Sequence, residues 1–213
     1  MNLDDAAMSV LCFGDSNTYG TAPLRWLGDA QRYPRSVRWT GHLQRALGAG
    51  VEVIEEGHPG RTSVHDDVVE GEHRNGKRML PAILESHAPV DLAVVMLGTN
   101  DFKTRYAVTP MDVAMSVEKL ASMILDAGVA KLLLIAPPPV VEVGCLAGMY
   151  FGAAEKSQRF AAALAQAAER RGVGFLDAGR LIESSPLDGV HFEAAAHTKL
   201  GTAIAAVVSD MLG

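Results

Sequence analysis

The stretch VLCFGDSNTYG, Val10–Gly20, decides how the chain is read. An apolar run stops at Gly14, and an acid and a hydroxyl, Asp15 and Ser16, follow at once. A buried strand that ends this way can cradle a phosphate, present a nucleophile, or simply turn.

Four more short apolar runs follow: VEVIEE (51–56), DLAVVML (91–97), KLLLIA (131–136) and VGFLDA (173–178). With SVLCF (9–13) they make five, and four are nearly unbroken rather than alternating, which suits strands covered on both faces. Segments of helical period separate them, at 36–48, 77–88, 109–128, 153–171 and 193–212. In the third, Val113, Val117, Leu120 and Ile124 form a stripe, Thr109 suits the N-cap, Pro110 the first helical position and Gly128 the stop. Pro81 is expected in the first turn of the second helix. The alternation predicts one domain over residues 1–213, a three-layer α/β/α sandwich on a five-stranded parallel sheet.

Composition narrows the function. The 213 residues carry a net charge of −6 with no basic run, which disfavours nucleic acid and anionic membranes as partners. No apolar stretch reaches membrane-spanning length, and MNLDDAAMSV (1–10) lacks the apolar core of a signal peptide. Cys12 and Cys145 form no disulfide framework. A cytoplasmic protein is expected.

In a parallel sheet the connections 14–35, 57–76, 98–108, 137–152 and 179–192 gather at the carboxyl ends of the strands, where ligands bind. They carry Asp15 and Ser16, Gly57 and Gly60, Gly98, Asn100 and Asp101, and Asp188 and His191. That set suits acyl transfer. A serine hydroxyl needs a base, and His191 can take the Ser16 proton while Asp188 holds the ring in the required tautomer. An oxyanion needs donors, and the Ser16 N–H, the Gly60 N–H and the Asn100 amide are candidates. Asp15, Asp101 and Arg61 are read as structural. His58, His65, Asp66, Asp67 and His73 lack the spacing of metal ligands and are read as a solvated or interface loop. His42, His87 and His197 are expected at the surface or at helix ends. Pocket walls are assigned to Tyr19, Trp26, His58, Phe102 and Val190, and Trp26, Tyr33, Trp39, Tyr106, Tyr150 and Phe151 are read as walls or subunit contacts.

GDSNTYG, the Gly60 loop, GTND and DGVH resemble, in order, the four blocks of the SGNH hydrolases, the GDSL-type esterases. Those blocks match Ser16, Gly60, Asn100 and His191. RWTGHLQRALG, VEVIEEG, MLGTNDFK and APPP are similar to the arylesterase/acyltransferase, or perhydrolase, branch. The resemblance implies a flavodoxin-like sheet, a Ser–His–Asp triad, and neither metal nor organic cofactor. It implies action on short acyl esters, transfer of the acyl group to water, alcohols or peroxide, and a homo-oligomer. Tyr19, Thr21 and Asn17 replace bulkier or apolar residues of that branch, which predicts a wetter or wider entrance. Carbohydrate deacetylation and thioester or lysophospholipid hydrolysis are alternatives within the superfamily, and a flavodoxin-like phosphate-binding module is one of another class.

Overall fold

The computed structural model describes residues 8–29 and 31–213. The leader expectation falls largely on residues 1–7, outside the described residues. Five strands, β1 (Met8–Gly14), β2 (Val51–Gly57), β3 (Leu92–Met96), β4 (Lys131–Ala136) and β5 (Gly174–Asp177), form one parallel sheet in the order β2-β1-β3-β4-β5. The order is flavodoxin-like, and the winding reverses between β1 and β3.

Strand pleating gives the sheet its two cores. Leu11, Phe13, Ala93, Val95 and Leu134 point to one side. They meet α3 (Gly76–His87), α4 (Pro110–Asp126) and α6 (Phe160–Arg171) through Leu80, Val117, Leu120 and Leu164. Val10, Cys12, Val53, Val94 and Ile135 point to the other. There α2 (Trp39–Leu47) and α7 (Ala194–Leu212) bring Trp39, Leu43, Leu200, Ile204 and Val208. The three central strands are buried on both faces, whereas β2 alternates and β5 is half-buried, as edge strands can be.

Helix ends follow local chemistry. Thr109 and Asp112 form a reciprocal capping box at α4 with Pro110 at its first position. Two expectations are corrected. Pro81 is the sixth residue of α3, in its interior and beyond its first turn. The proline faces solvent, where the missing N–H leaves a carbonyl that water can satisfy. The segment 153–171 is two helices, α5 (Ala153–Gln158) and α6, with Arg159 between them. Ser157 Oγ accepts from the Val140 N–H at 3.0 Å, and the Arg159 N–H closes a tighter turn on the Lys156 carbonyl at 3.1 Å.

Candidate active site

β1 ends at Gly14, and Asp15 caps the four-residue helix α1 (Ser16–Tyr19) by accepting from the Asn17 N–H at 2.9 Å. This turn fixes Ser16 at the carboxyl edge beside the β1/β3 crevice. At the other end of the sequence the Ser185–His191 segment is a closed turn, with the Ser185 N–H donating to the His191 carbonyl at 2.8 Å. Gly189 takes φ +76° there, and a Cβ would lie 1.7 Å from the Val141 carbonyl oxygen. Only glycine fits, and its carbonyl accepts from the Val141 N–H at 2.9 Å. Asn17 joins the two ends, because its Nδ2 donates to the Val190 carbonyl at 3.1 Å.

The result is a continuous relay. Ser16 Oγ lies 3.1 Å from His191 Nε2, and His191 Nδ1 lies 2.7 Å from Asp188 Oδ2. Asp188 is fully buried and takes four bonds. Oδ1 accepts from the Val190 and His191 N–H groups at 3.0 and 2.9 Å, and Oδ2 accepts from Leu24 N–H at 2.7 Å as well as from the imidazole. Burial by itself would raise the Asp188 pKa, but the His191 hydrogen bond and charge and these N–H groups outweigh it and hold the carboxyl below its ordinary value. A carboxylate that stays ionised keeps the proton on Nδ1 and leaves Nε2 as the acceptor facing the serine.

The expected donor residues line the same cleft. Among the described residues the Ser16 and Gly60 N–H groups have no hydrogen-bond acceptor. Gly60 takes φ +74°, and a Cβ there would press on the Glu70 carboxylate. Asn100 is buried in the 3-10 turn after β3, and its Nδ2 donates to Asp15 Oδ2 at 3.3 Å. Ser16, Gly60, Asn100 and His191 all face one cleft of about 380 Å3. Leu24, Leu27, Leu146 and Met149 give it mostly apolar walls, and Glu70 and Lys103 add charge.

Of the expected walls, Tyr19 and Val190 line the cleft. Phe102 does not, because it packs edge-on against Phe160 in the core, with centroids 5.6 Å apart. His58 turns away to an edge contact with His73, and burial together with the Arg61, Arg74 and His73 charges lowers its pKa to about 4. Trp26 points outward, over half exposed under the Arg25 guanidinium. Asn17 is buried and lies outside the cleft lining, so it does not wet the entrance. His197 is likewise buried, with Nδ1 accepting from the Trp39 N–H at 3.3 Å, rather than at the surface.

The loop after β2 is not solvated throughout. Asp67 is fully buried, 2.8 Å from the Arg105 guanidinium and 3.5 Å from Lys103 Nζ, which also meets Glu70 at 2.6 Å. Asp101 accepts from the Ser63 N–H and hydroxyl and ties this loop to the Asn100 turn. Among the described residues no group of three His, Cys, Asp or Glu side chains is arranged to hold a metal. Glu70 and Lys103 on the cleft wall carry no sequence signal, because their ion pairing is not periodic in sequence.

Asp15, in the turn after β1, is also buried. Burial raises its pKa from 3.8 to about 6, against the opposing Asn17 N–H and the His191 and Arg61 charges. Its stabilising share is therefore complete below pH 4 and is lost as pH rises through 6. In urea unfolding, the stability of Asp15→Asn relative to the parent should move in the variant's favour by about 1–3 kcal/mol between pH 4 and 7. A carboxylate in this turn also opposes phosphate binding and counts against the phosphate-cradle reading.

Residues 12–199 match the GDSL-like lipase/acylhydrolase family. Among solved structures, an aryl esterase from M. smegmatis is 36% identical, with 96% of this chain and 100% of that chain covered and a TM-score of 0.92. A carbohydrate acetylesterase from Sinorhizobium meliloti is 38% identical, with 95% and 99% covered and a TM-score of 0.91. A lipase/acylhydrolase from Enterococcus faecalis, at 21% identity, shares the fold over 95% of this chain and 96% of its own, with a TM-score of 0.69. No curated protein matches. Among the described residues no helix is long and apolar enough to cross a membrane. A match over most of the sequence, on a three-layer fold shared with esterases of more than 30% identity, makes the chain a carboxylic ester hydrolase that belongs to the GDSL-like lipase/acylhydrolase family of SGNH hydrolases.

Proposed function

We propose that the chain hydrolyses short acyl and aryl esters through an acyl-enzyme on Ser16. The observation that carries this reading is the unbroken line Ser16 Oγ–His191 Nε2 and His191 Nδ1–Asp188 Oδ2, at 3.1 and 2.7 Å, on the floor of the cleft. Ser16 Oγ attacks the ester carbonyl as its proton passes to His191 Nε2, and Asp188 stabilises the imidazolium. The Ser16 and Gly60 N–H groups and Asn100 Nδ2 receive the oxyanion. Collapse expels the alcohol, which takes the proton from Nε2. Water, activated in turn by His191, then releases the acid. An alcohol or hydrogen peroxide in place of water gives a new ester or a peracid.

The mostly apolar walls of the cleft, about 380 Å3 in volume, favour short acyl groups. The rate should therefore fall steeply along a p-nitrophenyl ester series beyond a few carbons. The charged pair Glu70 and Lys103 on the cleft wall favours a second reading, removal of acetyl groups from a carbohydrate. Faster turnover of an acetylated monosaccharide than of p-nitrophenyl acetate would select it. A p-nitrophenyl alkylphosphonate tests the core of the proposal. It should add one phosphonyl group, on the peptide holding Ser16, with full loss of activity. Labelling elsewhere, or inactivation without a label, would refute it.

The same proposal includes a homo-oligomer. Exposed Trp26 and Leu27 lie on the loop that walls the cleft, and Val68, Val69 and Phe151 are exposed as well. Light scattering should give a mass above that of one chain. A cytoplasmic location accords with two free cysteines, Cys12 buried and Cys145 half-buried.

A further inference from the structure

Tyr150 stands in the loop after β4. Its side chain lines the cleft and is 2% exposed, and its hydroxyl donates to Asn100 Oδ1 at 3.1 Å. On its other side the same carboxamide donates from Nδ2 to Asp15 Oδ2 at 3.3 Å. A carboxamide has two flipped states of nearly equal shape. One turns an N–H to the cleft, and the other turns a carbonyl oxygen there, which would repel an oxyanion. An ionised Asp15 only accepts, so the nitrogen faces it, and the phenol then donates to the oxygen. One Nδ2 hydrogen is spent on Asp15 and the other remains for the cleft.

We infer that Tyr150 is a positioning residue for the reaction: its hydroxyl fixes the plane of the Asn100 carboxamide and so aims the second Nδ2–H at the developing oxyanion. The inference rests on the proposed role of Asn100 as an oxyanion donor. Donation to Oδ1 also draws charge from the amide nitrogen and makes its N–H a stronger donor. The phenol keeps its proton, because burial and the surrounding carboxylates, Asp15 first among them, push its pKa well above the ordinary value.

The loop that holds Tyr150 is fastened to the segment that carries Asn100. The Thr104 N–H donates to the Met149 carbonyl at 2.9 Å, and Thr104 Oγ donates to the Phe151 carbonyl at 3.0 Å. These bonds flank Tyr150 on both sides and hold its loop against the segment after β3. Preorganisation of this kind acts on the transition state and not on substrate binding, so its signature is in kcat.

The test is a double-mutant cycle with p-nitrophenyl acetate. Tyr150→Phe keeps the ring and removes only the hydroxyl. It should lower kcat about tenfold with KM changed less than about twofold. In an Asn100→Ala background the same change should alter kcat by less than about twofold, because the amide to be aimed is gone. An unchanged kcat in Tyr150→Phe would overturn the inference while leaving the oxyanion role of Asn100 standing, provided Asn100→Ala is impaired. Equal losses in both backgrounds would also overturn it and assign Tyr150 to wall packing. Full activity in Asn100→Ala would remove the oxyanion reading itself, and this inference with it.

Discussion

Ser16→Ala should lower kcat/KM for p-nitrophenyl acetate by about 10^5 to 10^6-fold, or about 7–8 kcal/mol of transition-state stabilisation. The size follows from the relay. In the proposed mechanism the imidazole then has no hydroxyl to activate, and what remains is the oxyanion donors and the pocket acting on water. The fold should survive, because the hydroxyl makes one hydrogen bond, to His191 Nε2, and the turn is held by Asp15 and by backbone bonds from Gly20 and Thr21 to the Ser16 carbonyl. Initial rates beside a thermal melt check this. A melting temperature like the parent's with more than about a tenth of parental activity would end the acyl-enzyme mechanism.

Asp188→Asn should cost about 10^4-fold in kcat and, unlike Ser16→Ala, should also destabilise the protein. The two effects share one cause. All four partners of the carboxylate are N–H groups, two on each oxygen. An amide offers only one oxygen. If its NH2 faces Oδ2's partners, it opposes the Leu24 N–H and drives the imidazole toward the wrong tautomer. If it faces Oδ1's partners, it breaks the Val190 and His191 turn. Lost buried bonds of this type are worth about 1–3 kcal/mol each. The pH behaviour separates this acid from Asp15. Asp188 has a folded pKa below its unfolded value, so its stabilising share is present above the unfolded pKa and is lost as pH falls through the folded one. The parent should therefore lose stability in acid faster than Asp188→Asn, as urea unfolding below pH 4 would show.

Local signals in the sequence go far toward this fold. The strand at 131–136 and the cap of α4 at Thr109 are legible because each depends on near neighbours: an apolar run, and a side chain three residues from its partner. The helix at 153–171 is misread as continuous because its break is a single tight backbone turn at Arg159, in a sequence with no Gly or Pro to mark it. The burial of His197, which stands in the first turn of α7, is hidden for a similar reason. Its helical position carries no sign that, far back in the chain, the Trp39 N–H supplies a partner and Tyr33 an edge-on ring.

The site divides along the same line. Ser16, Gly60, Asn100, Asp188 and His191 stand out because each follows a strand, and a parallel sheet must deliver all such positions to one edge. That much the order of residues determines without coordinates. The walls are another matter. Phe102 and Trp26 have the chemistry of pocket residues, yet one is drawn into the core by Phe160 and the other turns to solvent, while Tyr150, expected as a wall or a subunit contact, closes the cleft together with Leu146 and Met149 of the same loop. Which way a side chain points from an irregular loop depends on contacts between segments far apart in the chain, and only the packed tertiary structure sets those.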